Sequence, residues 1–403
     1  MTTTLVSFLG KAPENGNYRD ATYDFDGTRK TTKYFGLALA AHVKPDKLVM
    51  LGTAGSMWEV LIESLQPGAV QEDERLALIE SAASNSVTQA QLDSIADMVS
   101  GKLGLPCRLK IIPYGRDDAE QVQILQIIAE EFAENDHAML DLTHGFRHLP
   151  MLGLMSALYL ETVRRVKIDG MYYGAHDMTD PQTGLTPVLR LDGLLRMADW
   201  LRALHSYDKD GDVSPFAPLL HQDGMAKEYT GVLEKVAFFE RTFNIADARR
   251  QTATFIPHLN KNHATLTNLF RGELEKRLGW HREDRLSVIQ KNLARFYLKG
   301  KDYPRAAIFA FEAWQSALVE KNGGNAIDYG ARDEAASAFK KSGNCPDAYY
   351  QLKNLRNTLA HGSVPISRNE PEKKKKEDEQ TRQILKNPEK LTQALEQHIK
   401  AIP

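Results

Sequence analysis

The sequence predicts two successive domains, an α/β domain built on a parallel sheet and then an all-helical one. Three observations predict it. Through about residue 177, short apolar runs alternate with longer helical patterns, the signature of a sheet wrapped by helices. From Gly193 onward the β pattern disappears and helical periods dominate. The charge balance also reverses, with 18 Lys and Arg against 27 Asp and Glu in residues 1–199 and 33 against 26 in residues 200–403. At 403 residues the chain is long enough for two or three domains, and its basic helical half is the better place for a polyanion.

The first domain is expected over residues 1–192, with strands at Leu5–Gly10, Lys47–Gly52, Arg108–Ile112, Ala138–Leu142 and Val166–Tyr173. All but the last stop at a Gly, a Pro or a polar cluster. Helical patterns fall between them at Thr31–His42, Glu72–Ser84, Gln89–Leu103, Ala119–Asn135 and Leu149–Arg165. A helical connecting region is expected over 193–285, with a loop at Ser206–Pro218, and a second helical domain over 286–403. In that domain Leu286–Lys299, Pro304–Glu320 and Ala348–His361 have helical apolar spacing, with Gly300 and Gly362 where C-caps belong. Glu370–Gln380 reads as a charged, low-complexity insertion.

Several classes are disfavoured. The two cysteines, Cys107 and Cys345, are too few for a disulfide framework or a thiolate cage. No apolar run approaches the roughly 20 residues of a membrane helix, and the Met1–Gly10 segment lacks the basic flank of a signal peptide. A cytoplasmic protein without a membrane partner is the expectation.

Ligands of open α/β sheets bind beyond the carboxyl ends of the strands. After the second apolar run comes Gly52-Thr53-Ala54-Gly55-Ser56-Met57-Trp58, where backbone N–H groups, hydroxyls and a helix start could face an anion. After the fourth comes Thr143-His144-Gly145-Phe146-Arg147-His148. Together these turns suggest a nucleotide pocket, although neither a G-x-G-x-x-G nor a P-loop pattern is present. Trp58 is expected in the core, with base stacking as the alternative. His144 and His148 have the i, i+4 spacing of a metal pair, but no H-E-x-x-H glutamate and no third ligand accompany them, so no metal is expected.

In Gln351-Leu-Lys-Asn-Leu-Arg356-Asn357-Thr-Leu-Ala-His361-Gly362, three leucines bury one helical face. Asn357 and His361 align one turn apart, and Arg356 lies about 140° around the helix from His361. A histidine can move the proton of a 2′-hydroxyl, a guanidinium can hold the phosphate and an amide can orient either, which suits RNA cleavage without a metal. The helix end favours a protonated imidazole. One helix supplies one histidine, so a symmetric homodimer would complete the acid/base pair. A bare Arg-x₄-His is expected roughly once by chance with 24 Arg and 12 His in such a chain, and the adjacent Asn and the helix-ending Gly make this one more specific.

With Leu51-Gly-Thr-Ala-Gly-Ser-Met-Trp58, Leu140-Asp-Leu-Thr-His-Gly-Phe-Arg147 and Arg356-Asn357-x-x-x-His361 in this order, the chain resembles the CRISPR-associated CARF–HEPN ribonucleases. The resemblance implies a Rossmann-like CARF sensor followed by a helical HEPN effector. It implies a type III CRISPR ancillary, antiviral endoribonuclease that cuts single-stranded RNA and acts as a homodimer or higher oligomer. The implied allosteric activator is a cyclic oligoadenylate, cyclic tetra-adenylate first, bound at the twofold axis. Ring-binding candidates are then Gly10, Lys11, Gly52 through Trp58 and Thr143 through Arg147, with Arg356, Asn357 and His361 as the RNase site. The alternatives are a nucleotide-sensing regulator that binds RNA or protein without cutting, and a nucleotide-dependent metabolic enzyme.

Overall fold

The computed structural model describes residues 1–11, 20–65, 72–261, 264–343, 345–362 and 372–403, which divide into compact units at Met1–Leu195 and Arg196–Pro403. The first unit carries one eight-stranded sheet: β1 (Thr3–Leu9), β2 (Ala21–Phe25), β3 (Thr28–Thr32), β4 (Lys47–Gly52), β5 (Cys107–Ile111), β6 (His137–Asp141), β7 (Lys167–Gly174) and β8 (Leu185–Arg190). Their order is β3-β2-β8-β7-β6-β1-β4-β5, and β7, β6, β1, β4 and β5 run parallel.

The continuous apolar runs of these strands follow from burial on both faces. In β1, Leu5 and Leu9 pack into one cluster and Val6 and Phe8 into the other. The first cluster is completed by helices α1 (Phe35–Val43), α2 (Trp58–Ser64), α3 (Glu72–Ala83) and α4 (Gln89–Leu103), the second by α5 (Asp118–Ala129) and α6 (Leu149–Val163). Because the chain places β4 and β5 on one side of β1 and β6 on the other, the strand order reverses at β1. The crevice of such a sheet lies at the carboxyl ends of the strands beside that reversal.

Three strands depart from the sequence expectation. β2 and β3 form a hairpin closed by Asp26 and Gly27 at positive φ (49° and 95°), so Thr31 and Thr32 belong to a strand and α1 starts at Phe35. β8 contains Pro187, which hides its strand character; residues 185–187 pair with β2 and 188–190 with β7, so the proline sits where the strand changes partners. Helix α5 ends at Ala129, six residues earlier than its apolar pattern suggests.

The second unit is helical. It contains most of α7 (Asp192–Asp210), then α8 (Phe216–Gln222), α9 (Lys227–Arg241), α10 (Ile245–Leu259), α11 (Thr265–Leu278), α12 (Leu286–Lys299), α13 (Tyr303–Lys321), α14 (Tyr329–Lys341), α15 (Asp347–His361), α16 (Glu372–Leu385) and α17 (Pro388–Lys400). Ser206–Asp210 and Phe216–Pro218 are therefore helical, which shortens the expected loop to the residues between α7 and α8. Within the charged insertion, Glu370 and Pro371 lie outside the described residues and the rest opens α16.

Two clusters hold this unit, one around Trp200, Phe216, Leu233 and Phe255, the other around Ile289, Phe309, Trp314 and Leu352. At the centre of the latter is α13, whose Ala306, Ala307, Ala310, Ala313 and Ala317 are buried. Small side chains there let neighbouring helices approach closely. Among the described residues no helix is long and apolar enough to cross a membrane.

Candidate functional site

The loops singled out in the sequence follow three neighbouring strands, β1, β4 and β6. At the end of β4 the chain turns tightly on itself: Ser56 N–H donates to the Thr53 carbonyl (3.0 Å), Thr53 N–H to Ser56 Oγ (2.9 Å), and Ser56 Oγ to the Leu9 carbonyl (2.8 Å). Met57 N–H donates to the Gly10 carbonyl (3.0 Å), which ties this turn to the end of β1. The Thr53 and Ser56 hydroxyls are buried and engaged inside the turn, so the expectation that they donate to a phosphate is corrected. What remains are the N–H groups of Ala54 and Gly55, which make no hydrogen bond among the described residues.

Trp58 is fully buried and its Nε1–H donates to the Thr53 carbonyl (3.0 Å). Its indole holds the turn from within, and base stacking is excluded because neither ring face reaches solvent. Gly55 sits at a close approach: a Cβ there would lie 2.0 Å from Asn85 Oδ1 and 3.1 Å from the Tyr114 hydroxyl, so any larger residue displaces the Asn85 side chain. Lys11 Nζ donates to the same Asn85 oxygen (3.2 Å).

Beneath the β6 loop, the buried Asp141 accepts from Ser7 Oγ (2.5 Å) and Thr143 N–H (2.8 Å). Burial pushes its carboxyl up to about 6, against the pull of the Ser7 and Thr143 hydrogen bonds. Thr143 Oγ1 accepts from Gly174 N–H (2.8 Å), which fastens the loop to β7. His144 stacks on Tyr34 (centroids 5.0 Å apart, planes 13°) and its Nε2 accepts from Phe35 N–H (3.2 Å). Burial first, and the neighbouring His176 second, push its imidazole down to about 4, so it is neutral with its proton on Nδ1.

Gly145, Phe146 and Arg147 are exposed at the loop tip, and Arg147 forms no ion pair among the described residues. His148 Nε2 lies 2.7 Å from the Tyr114 carbonyl, to which it donates. The two histidines thus have separate hydrogen-bonding duties, and no group of three or more metal-ligating side chains occurs among the described residues.

Sequence reasoning passed over the end of β5. There Tyr114 lies 5.9 Å from Phe146, and the Arg116 guanidinium sits 4.6 Å above the Tyr114 ring. The signal was the Pro113-Tyr114-Gly115-Arg116 cluster directly after an apolar run. Lys11, Arg116 and Arg147 put cationic groups on the loops of an otherwise acidic half, and backbone donors and aromatic rings accompany them. Such a set suits a ligand with phosphates and bases.

In the helical unit, Leu352, Leu355 and Thr358 anchor α15 in the core, and Gly362 closes it in the left-handed conformation with its N–H on the Thr358 carbonyl (2.9 Å). His361 is exposed in the last turn and Asn357 is half-buried. Arg356, also half-buried, places its guanidinium 4.6 Å above the Phe311 ring. Its Nε is buried without a hydrogen-bond partner.

Residues 4–177 match the family model described as the CARF domain of the CRISPR system endoribonuclease Csx1. The matched span contains the loops after β1, β4, β5 and β6. The doubly covered sheet and its strand-end crevice are thus similar to those of a CARF domain, and the match covers less than half of the chain. The chain is similar to the CRISPR-associated protein MJ1674 of Methanocaldococcus jannaschii, 26% identical over 405 aligned positions that cover 90% of this chain and 63% of that protein. The chain therefore spans less than two thirds of that relative's length.

Proposed function

We propose that the protein is a cyclic-oligoadenylate-activated endoribonuclease that cuts single-stranded RNA in the cytoplasm without a metal ion. The observation that carries this reading is the presence, in one chain with a CARF-like domain, of Arg356, Asn357 and His361 on a helix that stops at the histidine. In the proposed reaction the 2′-hydroxyl oxygen attacks the adjacent phosphorus and the 5′-oxygen leaves, giving a 2′,3′-cyclic phosphate and a 5′-hydroxyl. His361 takes or returns the proton, Arg356 stabilises the phosphorane charge and Asn357 orients the phosphate.

The activator, cyclic tetra-adenylate first, is placed on the loops after β1, β4 and β6, with Arg147 and Lys11 toward phosphate and the Ala54 and Gly55 amides as backbone donors. A homodimer fits the surface of α6, where Met151, Met155, Tyr159 and Val163 form an exposed apolar stripe at four-residue spacing. This helix starts directly after the β6 loop, so pairing along it brings two activator half-sites together.

The test is cleavage of a labelled single-stranded RNA in EDTA, with cyclic tri-, tetra- and hexa-adenylate added separately. Activator-dependent cutting with cyclic-phosphate ends is expected. Activity that vanishes in EDTA and returns with Mg²⁺ would overturn the metal-free reading, and binding without cutting, unaffected by His361→Ala, would favour a non-catalytic regulator.

A further inference from the structure

A cleft of about 590 Å³ lies between α15, α16 and α17, lined on its polar side by Gln351, Asn354, Gln380, Gln397 and His398. Leu355, Ile384 and Ala394 supply its apolar wall. His398 carries the argument. It stands on the buried face of α17 with Leu391, Leu395 and Ile399, where an aliphatic residue would pack without cost. It is 7% exposed, makes no hydrogen bond among the described residues, and lines the cleft. Burial alone pushes its imidazole below the usual range, so at neutral pH it offers one donor and one acceptor nitrogen.

The rest of the lining has the same character. Four carboxamides each present a donor and an acceptor, and the lining includes Asp347 but no lysine or arginine. That chemistry is poor for a phosphate and suited to the edge of a planar heterocycle, with the apolar wall against its face. Position on α15 connects the cleft to the proposed cleavage motif. Asn354 and His361 are seven residues apart, which places them on one stripe of the helix, within about 20° of each other and about 10 Å along its axis. One or two nucleotides of extended strand bridge that span.

We infer that the α15–α16–α17 cleft is a nucleobase subsite that selects one base of the RNA strand close to the scissile bond. This rests on the ribonuclease reading for its connection to cleavage, and the cleft's affinity for a base is testable apart from it. Two measurements use the full chain. Products from random-sequence RNA, cut in the presence of cyclic tetra-adenylate, are sequenced to map base preference around the cut. Separately, binding of 12-nucleotide oligo(A), oligo(U) and oligo(C) to the His361→Ala chain is followed by fluorescence anisotropy.

Asn354 and Gln397 are both exposed, so the Asn354→Ala/Gln397→Ala variant changes the lining without opening the core. A base preference within two nucleotides of the cut is expected, weakened at least tenfold in the double variant, since each neutral hydrogen bond lost costs roughly five- to tenfold in discrimination. The rank order of the oligonucleotides in the binding measurement is expected to flatten in parallel. An unchanged preference, or none in the parent chain, overturns the subsite. So does a variant that alters oligomeric mass in place of base choice, which would make the cleft a subunit contact. Complete absence of cleavage removes the ribonuclease reading, and the binding rank order then decides the subsite alone.

Discussion

The guanidinium of Arg356 lies face-on to the Phe311 ring, 4.6 Å from its centroid, and its Nε is buried without a hydrogen bond. A cation seated over a ring of α13 is positioned in advance, so in the proposed reaction its N–H edge is preorganised. Lysine keeps the charge and loses both the stacking and the fork of donors. Arg356→Lys is therefore expected to lower RNA cleavage by on the order of 10²-fold while thermal stability falls by only about 1 kcal/mol, the scale of one cation–π contact. Single-turnover cleavage beside a melting curve checks it; full activity in the lysine variant would show that charge alone is needed.

A second expectation concerns the β4 turn. A valine at Gly55 drives its side chain into Asn85 and the Tyr114 hydroxyl, and so displaces the partner of Lys11 and the ring that supports Arg116. Gly55→Val and Arg147→Ala should each raise the cyclic tetra-adenylate concentration for half-activation by tenfold or more, since a charge-assisted hydrogen bond contributes roughly 1.5–3 kcal/mol. Titrated activation curves are the measurement. An Arg147→Ala curve that overlays the parent's would remove that loop from the site.

What the sequence disclosed, and what it withheld, follows from how locally each feature is encoded. The parallel strands were legible because burial on both faces makes each a continuous apolar run. β2 and β3 were not, since one side of the hairpin is Thr-Arg-Lys-Thr-Thr, polar and nowhere fully buried, and only the Asp26-Gly27 pair marked its turn. The strand-end loops were visible as glycine and hydroxyl clusters, but their inward or outward sense was invisible. Whether Ser56 faces a ligand or the Leu9 carbonyl depends on β1, 47 residues away in sequence. Likewise, nothing local to Arg356 announces Phe311.

The β6 loop carries two titrations that oppose each other. Asp141 is raised from 3.8 to about 6, so its contribution to stability is full below pH 4 and is lost as pH rises through 6. His144 is lowered from 6.5 to about 4, so its contribution is full above pH 6.5 and is lost as pH falls toward 4. Each shift corresponds to roughly 3 kcal/mol, and the two largely cancel between pH 4 and 6.5. Removing one should expose the other. Asp141→Asn is expected to melt at lower temperature as pH falls across this window, and His144→Gln at lower temperature as pH rises. Tm measured at pH 4.5 and 6.5 for both variants tests the pair; slopes of the same sign would show that the loop does not hold these groups as the geometry implies.

The sharpest test of the proposed catalytic arrangement uses mixed dimers. A single imidazole cannot accept the 2′-hydroxyl proton and protonate the leaving 5′-oxygen in the same event, and each α15 ends with one histidine, His361. If each active centre draws His361 from both protomers, a heterodimer of the parent chain with His361→Ala retains no complete acid/base pair, and loss of either role costs on the order of 10²–10⁴ in rate. Its activity should fall far below half. Independent sites would leave about half, because one protomer would work unaided. Differentially tagged chains, co-expressed, purified through both tags and assayed at saturating activator, give the number directly, and a value near one half would place the histidines in separate sites.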